Sequence, residues 1–276
     1  MILTFGCIWY KILFFLQDVS TTLLMALMGK TRFDKMLCSH IRLGILIHPY
    51  FVVRILDGIV QTKLGRNVML QPSANIFIND EIYSSRVYDQ FYTIKNNDMI
   101  VDVGAHVGVF TLRAARKARK GLVLAIEPHP YNYWLLKCNM MVNKLTNIKA
   151  LELALWSSNG TTRLYLEDSD ILRFQGKEYL EVKTRTLDTV VRELGINRVD
   201  FIKLDTEGAE LEILQGAEET LRRNDPFLSI AAYHTPTEVQ EISKYLWRVG
   251  YRIFVYKSSY IYAFKSKGKA RTTLRM

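Results

Sequence analysis

The chain has 276 residues, 49% hydrophobic and 23% charged, which excludes a disordered protein and allows one large domain, or one domain with a smaller appendage. A net charge of +10 suggests an anionic partner or surface, but the cations are dispersed or gathered in the tail KSKGKARTTLRM, where a solvated terminus accounts for them. Cys7, Cys38 and Cys138 stand far apart and in odd number, which excludes a disulfide framework and a cysteine metal site and fits a reducing, cytoplasmic compartment.

Residues 1–65 read as a helical N-terminal extension. The opening MILTFGCIWYKILFFLQDVSTTLLMALMGK is cut by Lys11, Gln17, Asp18 and the Ser20-Thr21-Thr22 group, so it lacks the run of about 20 apolar residues that a membrane-spanning helix needs. A basic start and a small-residue cleavage site, the marks of a signal peptide, are both missing. Ser20 is placed to cap a helix running to Gly29, and RLGILIHPYFVVRILDGIV repeats the theme of apolar stretches with sparse charges. Two or three short helices are expected. They have three roles open to them: packing on the main domain, homo-oligomerisation, or peripheral contact with the inner face of a membrane.

Residues 66–276 form the main domain, with a regular alternation from residue 99. MIVDVG is a strand, VFTLRAARKARKG a helix stopped by Gly121, LVLAIE a strand, PYNYWLLKCNMMVNK a helix with Pro130 in its first turn, and IKALELAL a third strand. Two β-like runs, TTRLYL and LEVKTRTL, flank an acidic EDSD loop; LDTVVRELG is a helix and VDFIKLD a buried strand. AELEILQGAEETLRR places Leu211, Leu214, Ala217 and Leu221 on one stripe and reads as a single helix. PFLSIAAYH is a strand, TPTE a capping box opening the helix PTEVQEISKYLWRVG, and YRIFVYK with YIYAFK a closing hairpin. Strands alternating with helices imply an α/β fold: a mostly parallel sheet, helices on both faces, and an antiparallel edge from the hairpin.

In open sheets of this kind ligands bind beyond the carboxyl ends of the strands. VDVGAHVG is such an end: Gly104 lets the backbone turn and approach a ligand, and Gly108 permits tight contact between helix and strand. The next strand ends at Glu127, 25 residues after Asp102, where a carboxylate can accept both hydroxyls of a ribose. The glycines are separated by three residues, Ala105, His106 and Val107, rather than set in G-x-G-x-x-G, and the negative charge of Asp102 suits an ammonium better than a phosphate. S-adenosylmethionine therefore fits better than NAD. The candidate cofactor-binding residues are Asp102, Gly104, Ala105, His106, Gly108, Glu127, Pro128 and Leu155; His106 reads more naturally as a loop hydrogen-bonder than as a catalyst.

VDFIKLDTEGAELEILQGA gathers Asp200, Lys203, Asp205, Glu207 and Glu210 at a second strand end. Methyl transfer from a sulfonium needs positioning, and a base when the acceptor is a hydroxyl. Asp205, Glu207 and His234 are the candidate catalytic residues. Asp205 and Glu207 are also chemically suited to a divalent metal, and an internal ion pair with Lys203 is the alternative for both.

Together, VDVGAHVG (101–108), IEPHP (126–130), LEVKTRTLD (180–188) and VDFIKLDTEGAELEILQGA (199–217) resemble the FkbM family of S-adenosylmethionine-dependent methyltransferases. The resemblance covers roughly residues 80–265. It implies a class I methyltransferase Rossmann-like fold of seven strands with the last antiparallel, and O-methylation of a hydroxyl on a sugar, glycan or other small molecule. By matching position, Asp102, Gly104 and Glu127 would hold the cofactor, and Asp205, Glu207 and Glu210 would be the family's acidic site. One departure is that members often carry a glutamate shortly before the histidine of PFLSIAAYH, where this chain has Ala231, Ala232 and Tyr233. N-methylation of a protein or nucleic acid is the alternative activity, although no N-P-P-Y-like element is present to stack a base. A membrane-surface scaffold with a degenerate cofactor fold is the non-enzymatic one. Tyr83, Tyr88 and Tyr92 either line the acceptor side or belong to the core.

Overall fold

A computed structural model describes residues 59–64, 67–72, 82, 85–165 and 179–265. The helices expected before residue 59, Tyr83, the EDSD loop and the basic tail lie outside the described residues. The chain divides into two units, Met1–Asn75 and Ile76–Met276.

In the first unit, β1 (Ile59–Leu64) and β2 (Asn67–Pro72) pair antiparallel, from Ile59 with Pro72 to Leu64 with Asn67. Ile59 and Val60, expected at the end of an apolar helix, are therefore strand residues. No helix among the described residues is long and apolar enough to cross a membrane.

The second unit is built on a seven-stranded sheet. Its strands are β3 (Met99–Val103), β4 (Leu122–Ile126), β5 (Ile148–Leu151), β9 (Phe201–Leu204), β10 (Phe227–Ala231), β11 (Arg252–Tyr256) and β12 (Tyr260–Phe264), in the order β11-β12-β10-β9-β3-β4-β5. The five strands from β10 to β5 run parallel, and all five residues of both β3 and β10 are buried, as central strands covered on two faces should be. The closing hairpin does not simply add an edge. Its second strand, β12, inserts between β10 and β11 and runs antiparallel to both.

A smaller sheet, β6-β8-β7, is made by β6 (Ala154–Leu155), β7 (Gly160–Tyr165) and β8 (Tyr179–Arg185). The run IKALELAL, expected as one strand, is thus shared between two sheets: β5 pairs with β4, and β6 pairs parallel with β8.

Helices α1 (Val109–Lys117), α2 (Pro130–Val142), α3 (Leu187–Glu193), α4 (Glu210–Gln215), α5 (Glu218–Asn224) and α6 (Glu238–Arg248) complete the unit. One face of the sheet buries an aliphatic core in which Val101, Ile202 and Leu228 meet Val190 of α3, Leu214 of α4, Leu221 of α5 and Ile242 of α6. The other face is aromatic: Phe110 of α1 stacks on Phe201, which stacks on Phe227, which in turn stacks on Phe264. Alternation along β9 sends Phe201 to the aromatic face and Ile202 to the aliphatic one. Tyr92, half-buried, packs against Phe201 and Phe227 at the margin of the core and donates to Asp98 Oδ2 at 2.9 Å.

The stretch expected as one helix over AELEILQGAEETLRR is two, because a Cβ on Gly216 would stand 2.1 Å from the Trp156 carbonyl oxygen. The chain breaks there to let that backbone in. The amides freed at the start of α5 are capped from elsewhere: Glu219 N and Thr220 N donate to the Asp188 carboxylate at 2.9 and 2.7 Å. The capping box ahead of α6 is half formed, with Glu238 Oε2 accepting from Thr235 N at 3.4 Å and from His234 N at 2.8 Å, and the helix starts at Glu238 rather than at Pro236.

Candidate active site

Between β3 and α1 the chain makes its turn with three residues in the left-handed region, Gly104 at φ 70°, His106 at φ 52° and Gly108 at φ 93°. A Cβ on Gly104 would lie 1.8 Å from the Asp205 carbonyl oxygen. This glycine is therefore where the ends of β3 and β9 press together, and it places the two sequence motifs side by side. A Cβ on Gly108 would meet Leu136 Cδ1 of α2 at 2.6 Å, so the close contact it permits is with the neighbouring helix.

Glu127 follows β4 and ties this loop to the next. Its Oε2 accepts from His106 N at 2.7 Å and its Oε1 from His129 N at 3.0 Å, while Gly104 N and Ala105 N both donate to Ile126 O at 3.0 Å. Burial pushes the Glu127 carboxyl up to about 7 against the opposing pull of those two amides. A carboxylate held by two amides keeps lone pairs for further donors, so the arrangement fits a ribose diol. Pro128 is half-buried beside it. Leu155 sits in the aliphatic core at 2% exposure, with its side chain committed to packing.

Asp102 is fully buried and already engaged. Its Oδ2 accepts from Thr111 Oγ1 at 2.5 Å, and its Oδ1 is 3.1 Å from Lys203 Nζ, which also donates to the Gly104 carbonyl at 2.7 Å. Burial alone would lower the Lys203 ammonium, but the Asp102 and Asp205 carboxylates outweigh it and hold it above its ordinary value. The expected alternative of an internal ion pair for Lys203 is met by Asp102, from the neighbouring strand, rather than by Asp205 or Glu207.

Beyond β9, Asp205 accepts a 2.6 Å hydrogen bond from Tyr88 Oη and a 3.3 Å one from Tyr233 Oη. His234 Nε2 stands 3.6 Å from Asp205 Oδ1 and 3.6 Å from Glu210 Oε1, and Nδ1 lies 3.2 Å from Glu207 Oε2. Asp205 and Glu207 thus meet opposite nitrogens of one ring. Burial works to raise Asp205, yet His234, Lys203 and Tyr88 together hold it down to about 2. Burial works to lower His234, yet Asp205 and Glu207 hold it up at about 10. Glu210 is pushed up to about 7 by burial and by the neighbouring Glu238 carboxyl. Glu207 is reached through a backbone at φ 58°, followed by Gly208 at φ 99°, a tight loop that turns its exposed carboxylate back onto the histidine.

The family described as Methyltransferase FkbM domain matches residues 102–253, more than half of the chain, and that span begins at Asp102 and takes in both strand-end clusters. The chain belongs to the FkbM methyltransferase family. Among its relatives, methyltransferase sdnD of Sordaria araneosa is 34% identical over 179 residues, 52% of this chain and 69% of that protein. The 2-O-methyltransferase NoeI of Sinorhizobium fredii is 25% identical over 58% of this chain and 76% of its own, and the 31-O-demethyl-FK506 methyltransferase FkbM of Streptomyces tacrolimicus is 24% identical over 52% and 68%. The crystal structure of methyltransferase FkbM from Methylobacillus flagellatus aligns with a TM-score of 0.50 at 19% identity, over 70% of this chain and 48% of that one, so the match spans about half of that structure. The fold is that of the class I methyltransferases, and the methyl donor of this FkbM-type enzyme is S-adenosylmethionine.

One member of the acidic group, Glu238, escapes sequence reasoning alone, being legible there only as a helix cap. The signal for Glu238 lies in its place as a cap four residues after His234, whose amide its Oε2 accepts at 2.8 Å across the turn before the helix. Tyr88, expected on the acceptor side or in the core, is buried in the core with its hydroxyl on Asp205.

Proposed function

We propose that this FkbM-family enzyme transfers the methyl group of S-adenosylmethionine to a hydroxyl on a sugar, glycan or other small molecule. The observation that carries the reading is the contact at Gly104, which sets the loop proposed to hold the cofactor directly against Asp205. Glu127 is assigned the ribose; Gly104, Ala105, His106, Gly108 and Pro128 shape the loop around it, and Asp102 fixes that loop through Lys203 and Thr111. Leu155 acts only through packing.

S-adenosylmethionine held there would supply an electrophilic methyl group for in-line transfer to the acceptor oxygen, with S-adenosylhomocysteine as the leaving group. Asp205, kept ionised by His234, Lys203 and Tyr88, orients the hydroxyl and receives its proton; Glu207 and His234 hold Asp205 in place. The oxygen-directed activities for which two of the relatives, NoeI and FkbM, are named support oxygen over nitrogen.

A screen with S-adenosylmethionine carrying a labelled methyl group, offered to glycans, small hydroxylated metabolites, RNA and protein, tests this. Label is expected in the hydroxylated small molecules or glycans, and Glu127→Ala should abolish it. Label confined to protein or RNA nitrogen would overturn the acceptor assignment.

A further inference from the structure

We propose that Glu210, His234 and Glu238, with Asp205 beside them, form a site for one hard divalent cation of the magnesium or manganese class. Each of the first three offers a ligand atom, and these atoms lie within 4.8 Å of one another. Glu210 is fully buried, Glu238 is nearly so, and the His234 side chain is 8% exposed.

Helix capping accounts for only part of this cluster. Glu238 Oε2 accepts the amides of His234 and Thr235, and Glu210 Oε1 accepts Thr206 N at 2.5 Å and Thr206 Oγ1 at 2.9 Å. Glu210 Oε2 and His234 Nε2 are buried and make no hydrogen bond. Nε2 points at two carboxylates from 3.6 Å, a gap too long for a hydrogen bond. A cation that displaces the Nε2 proton would take these atoms as ligands, since bonds of about 2.1 Å put neighbouring ligand atoms ~3 to ~4 Å apart.

The donor set selects the ion. Carboxylates with one imidazole and no thiolate suit magnesium or manganese. The other ring nitrogen is fixed by Glu207 at 3.2 Å, the outer carboxylate that orients a ligating histidine and sharpens its basicity. This moves the metal from the pair expected in the sequence, Asp205 and Glu207, to a buried set in which Glu207 is the outer partner. Occupancy of the site rests on this geometry alone; any use of the ion on the acceptor rests on the O-methylation reading.

The full chain, stripped with EDTA and titrated with Mn²⁺, should remove the electron paramagnetic resonance signal of free Mn²⁺ with one ion bound per chain. Glu238→Gln and His234→Gln should weaken binding at least tenfold, and Glu207→Gln by about tenfold. Mn²⁺ should also raise the melting temperature of the unmodified chain, and EDTA should reverse the rise, a readout that survives if a variant fails to fold. Absence of binding, or binding unchanged by all three substitutions, overturns the site. Calorimetry with S-adenosylmethionine in EDTA separates the two proposals: cofactor binding without Mn²⁺ binding removes the cation and leaves the methyltransferase reading standing.

Discussion

Two residues carry opposite demands. Glu127 has its carboxyl pushed up to about 7 from an ordinary 4.5, so the folded chain keeps a proton that the unfolded chain has released. Its contribution to stability is complete below about pH 4.5 and fades as the pH rises through about 7. A ribose requires the ionised form, so calorimetry should show S-adenosylmethionine affinity rising from about pH 6 to about pH 8. Glu127→Gln, which does not ionise, should flatten that rise and lose tenfold or more in affinity at the upper end, the scale of a charged hydrogen bond. Lys203 is buried against Asp102 at 3.1 Å, and removing one partner of such a pair strands the other. Lys203→Met should cost about 3–5 kcal/mol by urea unfolding, and adding Asp102→Asn should return part of that loss, so that the two changes are not additive.

At the scale of elements, three glycines in left-handed backbone make a graded test. Gly104→Ala places a Cβ 1.8 Å from a backbone carbonyl, Gly108→Ala places one 2.6 Å from the end of a leucine side chain, and Gly195→Ala, at φ 63°, meets nothing within 4 Å. The first should abolish the fold or the cofactor site, the second should cost less because Leu136 can shift, and the third should cost only the backbone penalty of about 1–2 kcal/mol; melting temperatures would rank them. Local pattern made the strands, most helices and the ligand loop legible, because hydrophobic period, glycines and strand-end acids are written in consecutive residues. The break between α4 and α5 was not legible, since its cause is the Trp156 backbone, a neighbour distant in sequence. Likewise Asp205, Glu207 and Glu210 could be picked out from one motif, while the join of that motif to Glu238 and Tyr88 depends on which strands lie side by side.

For the whole molecule, the two sheet faces divide the labour. The aliphatic face carries four helices, and the aromatic face stacks Phe110, Phe201, Phe227 and Phe264 beneath Tyr88, whose hydroxyl reaches Asp205. Tyr88→Phe should therefore reduce turnover while costing only about 1.5–3 kcal/mol of stability, the scale of one hydrogen bond to a charged group, because the ring packing is kept; activity and melting assays on the same preparation would show it. The class of sheet was readable from the alternation of strands and helices, but the place of the last strand was not, as nothing local says whether a hairpin lies along an edge or opens to admit a neighbour.

That insertion of β12 between β10 and β11 sets a timetable for biosynthesis. While the ribosome is still adding residues before Tyr260, β10 has its parallel partner β9 but an open flank of amides and carbonyls on the other side, the kind of surface on which nascent chains pair wrongly. The sheet is sealed only when Tyr260–Phe264 emerges and slides in. A stop codon a few residues earlier would spare every residue assigned here to the cofactor, the acceptor and the cation, and would still yield a product expected in the insoluble fraction.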